Sequence, residues 1–544
     1  MIVTTSLFAL LMLAADETRK ADVPLVDGLG PHSRKIAAKD ATAQRYFDQG
    51  LMYMFAYNHD EAMRAFGQAS RLDDQCAMAY WGVALASGMN YNDPSFTPEK
   101  AKRAAEALAK ARQTASTENP VNQALINALA ARYPDPAPKE RADAEKAYSA
   151  AMKKAFEQFP SDADVGALYA ESIMNLRPWD LWKEGGEPQP ETPEILRAIE
   201  AALQIDAMHP LANHLYIHAL EASPDPSKAD AASNALRGKY PALGHLIHMP
   251  SHIDIRRGRW QEALDANQKA ILTDAAYQKS APELGFYRMY IAHNFHMLTF
   301  AAVMQGRSEL ALTTIRAMLA GVPQEWLAVK EHQAIADGFS AMPLEVLKRF
   351  GRWDDILAAP EPPPIFPIAR AMWRYQRGVS FAAKGDVDKA LEEQKLFRDA
   401  VKAVPEGATF SNNKAADLLV IAGHMLDGEI LFRLKRSKEA IASLEKAVAQ
   451  EDKLRYAEPP DWFVPARHAL GAVLLHDGQA AAAERVYRED LRRWPENGWS
   501  LHGLARSLVA QGKTEEGGKV EEQFKNAWKQ ADVKILSSCF CVDG

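Results

Sequence analysis

Residues 43–74 read AQRYFDQGLMYMFAYNHDEAMRAFGQASRLDD. Apolar and small side chains recur there at helical spacing on both sides of Asn58, which predicts two helices joined by a tight turn. Gly50, Ala62, Phe66 and Ala69 are separated by twelve, four and three residues. Small residues at the first two positions let the helices approach closely. Phe66 and Ala69 then fill the gap toward whatever packs next. Asn58 is a good N-cap, and Asp60 and Glu61 suit the positive end of the helix that follows.

The pattern recurs along the chain. Gly378 pairs with Ala390, and Gly428 with Ala440 and Ala447, Leu444 taking the large position. Gly471, Ala483, Tyr487 and Pro495 match well, and Ser251, Ala263 and Ala270 match with Asn267 in the aromatic position. These spacings resemble the tetratricopeptide repeat. The resemblance covers roughly residues 42–530, with poorer consensus over 95–160 and 175–195, and Asp74 stands where the family has proline. It implies an all-α, right-handed α-solenoid of about a dozen helical hairpins, whose first helices line a concave face. Three consecutive prolines in APEPPPIFP cannot continue a helix. The expected organisation is an extended lead-in at 16–40, one array at 41–358, a junction at 359–367, a second array at 368–535 and a tail at 536–544.

Eight of the fifteen histidines fall between His209 and His296. They lie in HPLANHLYIHALE (209–221), GHLIHMPSHIDIR (244–256) and MYIAHNFH (289–296). His214 and His218 are four residues apart, as are His248 and His252, and each pair is 34 residues from its counterpart. That is one tetratricopeptide period, so the two pairs are expected on equivalent first helices of adjacent hairpins. His293 and His296 fall on the next first helix. Neighbouring helices pack about 8–10 Å apart, a gap that two imidazoles can close around a metal ion. The expected ligands are His214, His218, Glu221, His245, His248, His252, His293 and His296. His245 is offset from the 34-residue register. A set rich in histidine and poor in carboxylate suits copper, zinc or iron rather than magnesium or calcium. The competing readings are a metal-free groove that responds to pH, and histidines that merely pack.

The zinc-protease motif places Glu directly after its first His; here Leu215 and Met249 follow. A catalytic base would come from Glu221, Tyr290 or a metal-bound hydroxide. There is no nucleophile elbow and no dinucleotide glycine motif, and Gly512-Lys513-Thr514 lacks the leading glycine of a phosphate loop.

Composition is that of a soluble protein, 47% hydrophobic and 25% charged with net charge −7. That balance offers no electrostatic footprint for nucleic acid. The first residues, MIVTTSLFALLMLAADETRK, carry an apolar core and then Ala14-Ala15-Asp16, the pattern of a signal peptide (1–15) directing the chain to the periplasm or outside. After its removal no apolar run is long enough to span a membrane. Cys76 is expected to pack, whereas Cys539 and Cys541 in the tail are placed to pair or bind metal.

FAYNHDEAMRAF, CAMAYWGVALASGMNYN, GHLIHMPSHIDIRRGRW and EPPDWFVPAR together resemble a group of bacterial tetratricopeptide proteins of unassigned activity. HMPSH followed by GRW is the most specific part. The sequence thus predicts an exported repeat protein with a His-rich metal site, possessing or lacking enzymatic activity. The alternative is a scaffold that grips a peptide or protein in its groove.

Overall fold

The ring of Phe66 shows how the hairpins are built. A methyl group on Gly50, in its own hairpin, would lie 2.6 Å from that ring, and one on Gly82, in the next hairpin, 2.5 Å. Tyr487 is clasped in the same way between Gly471 and Gly503. Large side chains therefore enter slots that only glycine leaves open, and this stacks one hairpin on the next. In this computed structural model, residues 23–134, 140–281, 284–323, 325–540 and 542 are described. The proposed signal peptide and Cys541 lie outside them.

Helices run in antiparallel pairs from Ala41–Phe55 with His59–Leu72 to Gly498–Ala510 with Thr514–Ala527. The architecture is a tetratricopeptide-like α-solenoid. Among the described residues the strands are Thr409–Phe410 and Asn413–Lys414, a short hairpin between two helices. Sequence periodicity gave no sign of it, because two-residue strands carry no alternation. No helix among the described residues is long and apolar enough to cross a membrane.

Many hairpins turn alike. Gly258, in the left-handed region, donates to Ile255 O at 3.2 Å, and Arg259 donates to Asp254 O at 2.8 Å. This paired bonding closes the end of a helix. It recurs at Gly306, Gly351, Gly385, Lys435, Gly478 and Gly512. The first hairpin has Tyr57 there, at φ 57°. A side chain in that conformation costs roughly 1–2 kcal/mol.

First helices face inward and second helices outward. Pro210–Leu220 buries ten of its eleven residues, whereas Trp260–Gln278 buries six of nineteen. The inward helices are so thoroughly covered because the solenoid closes on itself. Trp260 Nε1 donates to Pro495 O at 2.9 Å, and Trp499 Nε1 to Val303 O at 2.8 Å. Asp532 accepts from the backbone of Ser308 and Glu309 at 2.7 and 3.0 Å. Residues 359–366 are non-helical as expected, yet apolar packing continues past them: Phe350, Ile356, Ala371 and Trp373 share one cluster. From residue 23 the lead-in is extended and firmly tied. Arg34 reaches Asp162 at 3.0 Å and Asp164 at 2.8 Å, and Tyr46 donates to Val23 O at 2.6 Å.

Gly503→Val should force Tyr487 from its slot and destabilise the chain by at least about 1–3 kcal/mol. Gly518, with open space around it in helix Thr514–Ala527, should instead tolerate alanine with a gain of about 0.5–1 kcal/mol. Urea unfolding of the two variants checks both signs.

Candidate metal centre

Helix Pro210–Leu220 carries His214 and His218. Its proline occupies the first turn, and its N-cap is His209, whose Nδ1 accepts from Ala212 N at 3.1 Å. One hairpin later the first helix is split into Gly244–His248 and Pro250–Arg256. Pro250 has no N–H, which interrupts the hydrogen-bond ladder, though Met249 keeps helical angles of φ −48° and ψ −41°. The third element, Tyr287–Met304, carries His293 and His296.

These elements bring six imidazoles into two adjoining trios. His214, His218 and His245 form one, and His248, His252 and His293 the other; within each trio the ligand atoms lie within 4.8 Å of one another. His214 Nε2 is 3.1 Å from His245 Nε2. His252 Nε2 is 2.8 Å from His248 Nε2 and 3.5 Å from His293 Nε2. Two nitrogens bound to one ion at about 2.0–2.1 Å sit roughly 2.9 Å apart at a right angle and roughly 3.4 Å apart at a tetrahedral one. The trios join where the His218 and His252 rings lie 5.5 Å apart.

The outer nitrogens of His214, His218, His248 and His252 are held. His214 Nδ1 faces Phe55 O at 2.8 Å. His248 Nδ1 faces Asn267 Oδ1 at 2.7 Å, and Asn267 Nδ2 donates to Ala263 O at 2.8 Å, which fixes the amide with its oxygen toward the imidazole. Glu221 stands between the trios, one oxygen 3.0 Å from His218 Nδ1 and the other 2.7 Å from His252 Nδ1. Glu458 adds a second carboxylate 3.2 Å from His252 Nδ1. Partners of this kind place the hydrogen on Nδ1 and turn an Nε2 lone pair inward, the usual surroundings of metal-bound histidine. A proton on His252 satisfies the contact to His248 without any metal. It does nothing for His218 Nε2 and His245 Nδ1, which are buried with no hydrogen-bond partner among the described residues.

Burial pushes His214, His245, His248 and His293 well below the ordinary imidazole range, and neighbouring imidazoles push them further. Burial disfavours charge on His252 too, but Glu221 and Glu458 outweigh it and lift this histidine to about 10. Burial alone would raise Glu221; His252 and His218 reverse that and hold it at about 2. Glu221 is therefore a poor base at neutral pH. Its oxygens are spent on imidazole Nδ1 atoms, although Glu221, His252 and Glu458 also lie close enough together to share an ion. Tyr290, the other candidate base, has its hydroxyl 3.3 Å from Asn90 Oδ1 and its ring 4.6 Å from His245. Burial holds its phenol protonated, which fits a hydrogen-bond donor.

His296 stands apart from both trios. Its ring stacks on Phe463 at 5.4 Å and meets Phe339 edge-on, and its Nε2 is buried without a partner among the described residues. The 34-residue register also pairs differently from expectation: His214 meets the offset His245, and His248 turns to His252 and His293. His32, Asp164 and His209 form another group with metal-ligand spacing. There His209 Nδ1 serves as a helix cap and Arg34 already occupies Asp164, so this group ties down the lead-in.

Sequence spacing alone did not bring Glu458 or Tyr57 to the histidines. Asn267 did leave a trace, as a polar residue in the repeat's aromatic position. The Tyr57 ring lies 4.4 Å from His214 and stacks on His218 and His245 at 6.4 and 5.8 Å. Its strained turn thus presses an aromatic ring against one trio. Beside the histidines, a cavity of about 700 Å³ opens between residues 179–224 and residues 451–494. His218, Glu221, Tyr91, Trp179, Arg256 and Tyr456 are among its walls.

No protein-family model matches the chain, and no curated protein matches its sequence. Among solved structures, the human IFIT1 dimer with m7Gppp-AAAA is 13% identical with a TM-score of 0.31, over 92% of each chain. The APC/C hetero-tetramer Cut9–Hcn1 is 13% identical with a TM-score of 0.32, over 96% of this chain and 82% of that one. Likeness at this level carries no argument about the site.

Asp274 braces the site from outside, accepting from Tyr287 at 2.9 Å and from Asn294 at 2.8 Å. Burial raises its carboxyl to about 7. Its stabilisation is full below the unfolded value of 3.8 and is lost as pH rises through about 7. Asp274→Asn should therefore gain on the parent protein by about 2–4 kcal/mol between pH 4 and 8. Paired melting curves across that range test this; a pH-independent difference contradicts it.

Proposed function

We propose that the two histidine trios hold a pair of transition-metal ions, copper, zinc or iron, inside a closed tetratricopeptide-like solenoid. The observation that carries this reading is the set of inward Nε2 atoms at metal-like separations, backed by Nδ1 atoms already engaged with oxygen. His218 Nε2, buried and unpartnered, supports it further, because a group of this kind costs about 1–3 kcal/mol when nothing satisfies it. The cavity beside the histidines gives a small molecule a route to the site, which supports metal-dependent catalysis over simple storage. We further propose, from the apolar N-terminal run and from GHLIHMPSH, that the chain is an exported member of the bacterial group it resembles.

Elemental mass spectrometry of the purified chain tests the metal reading. The parent protein should retain close to stoichiometric metal. His214→Ala with His248→Ala should lose it while circular dichroism remains helical. Asn267→Ala should weaken retention about 10–100-fold, as loss of an outer partner does. No metal after reconstitution with copper, zinc and ferrous iron would remove the metal centre and return the chain to the peptide-binding scaffolds.

A further inference from the structure

The cavity beside the trios has walls of two kinds. One is aromatic. Tyr91 and Trp179 stack at 5.5 Å with an interplanar angle of 26°, and both rings meet His218, at 5.3 and 5.6 Å. Trp179 is held in the left-handed region at φ 57°. Five residues other than glycine have positive φ among those described, and the two aromatic ones, Tyr57 and Trp179, both touch His218. Backbone strain of this kind gathers where a side chain must be aimed.

The other wall is basic. Arg256 is fixed by the carbonyl of Glu221 and by that of Ser223 at 3.4 Å, and its guanidinium lies over the Tyr456 ring at 5.6 Å. Arg455 stands nearby, its Nη2 3.5 Å from Pro178 O. Neither arginine has a carboxylate partner among the described residues. The other arginines of the cavity are engaged: Arg467 and Arg493 bind Asp452, and Arg492 binds Glu489. Lys183 is 3.5 Å from Glu187. Of the acids that line the cavity, burial raises Glu451 and Asp461 to about 7, whereas neighbouring histidines hold Glu221 and Asp490 below the ordinary range. A guanidinium held by carbonyls keeps N–H groups that suit the oxygens of a carboxylate or a phosphate.

Resting on the metal reading, we propose that this cavity binds a small aromatic oxyanion, a carboxylate or phosphate. Arg256 and Arg455 hold the anion, and the Tyr91–Trp179 pair holds the ring beside His218. Metal ions in the trios would then face a substrate whose charged end is held by the arginines.

Isothermal titration of the full-length protein, metal-free and zinc-loaded, tests this with benzoate, phenyl phosphate, benzyl alcohol and acetate. The first two should bind at least about tenfold more tightly than the uncharged and the ringless controls. Arg256→Met should weaken them by roughly 10–100-fold, the worth of hydrogen bonds to a charged group. Arg455→Met, at an exposed position, should weaken them in the same direction. Benzoate binding more tightly than phenyl phosphate would identify a carboxylate site, and the reverse order a phosphate site. Failure of both to bind at millimolar concentration, or binding equal to that of benzyl alcohol, overturns the proposal. Metal retained without anion binding sinks the pocket alone. Anion binding by a chain that takes up no metal sinks the metal centre alone.

Discussion

Six imidazoles crowded into a protein interior are costly unless every ring nitrogen finds a partner, and this constraint orders the structure around them. Carbonyl, amide and carboxylate oxygens from distant parts of the chain are drawn in to hold the outer nitrogens. Phe55 belongs to the first hairpin, Asn267 to the outward helix behind His248, and Glu458 to the loop between helices Ser437–Glu451 and Ala466–His476. Each must be positioned to within a few tenths of an ångström, so the helices that carry them cannot drift. A repeat array is ordinarily a sum of neighbour contacts. Here the interior polar set adds ties that run across many repeats.

The fold was legible because its rules are local. Gly50, Ala62 and Phe66 mark a helical hairpin by spacing, and the structure gives the reason: the glycines make the slot that Phe66 fills. The histidine trios were legible for a related reason. Spacings of three, four and 34 residues are properties of helices and of helix stacking, both readable from one sequence. The exact pairing was not: His214 meets His245, which lies outside the 34-residue register. Glu458 lies more than two hundred residues from His252, and no spacing rule reaches that far. Tyr57 was hidden differently. It reads as an ordinary turn residue until its backbone angle shows that it stands where sibling turns carry glycine.

Carboxylates divide the labour near the centre. Glu221 and Glu458 favour positive charge on His252, while burial keeps the imidazoles around it neutral. One site thus holds protonated and unprotonated rings a few ångströms apart. In the absence of metal that arrangement limits repulsion among the rings, because one charge rather than six is buried.

Closure of the solenoid has a consequence for how such a chain can change over generations. An open array grows or shrinks by whole repeats with little penalty, since each addition merely lengthens a rod. Once His252 must meet Glu458, and Val303 must meet Trp499, the intervening hairpins set a circumference. Duplicating or deleting one of them would misalign both contacts. Repeat number between those points is therefore locked by geometry, and variation is left to loops, to the outward helices and to the ends of the chain.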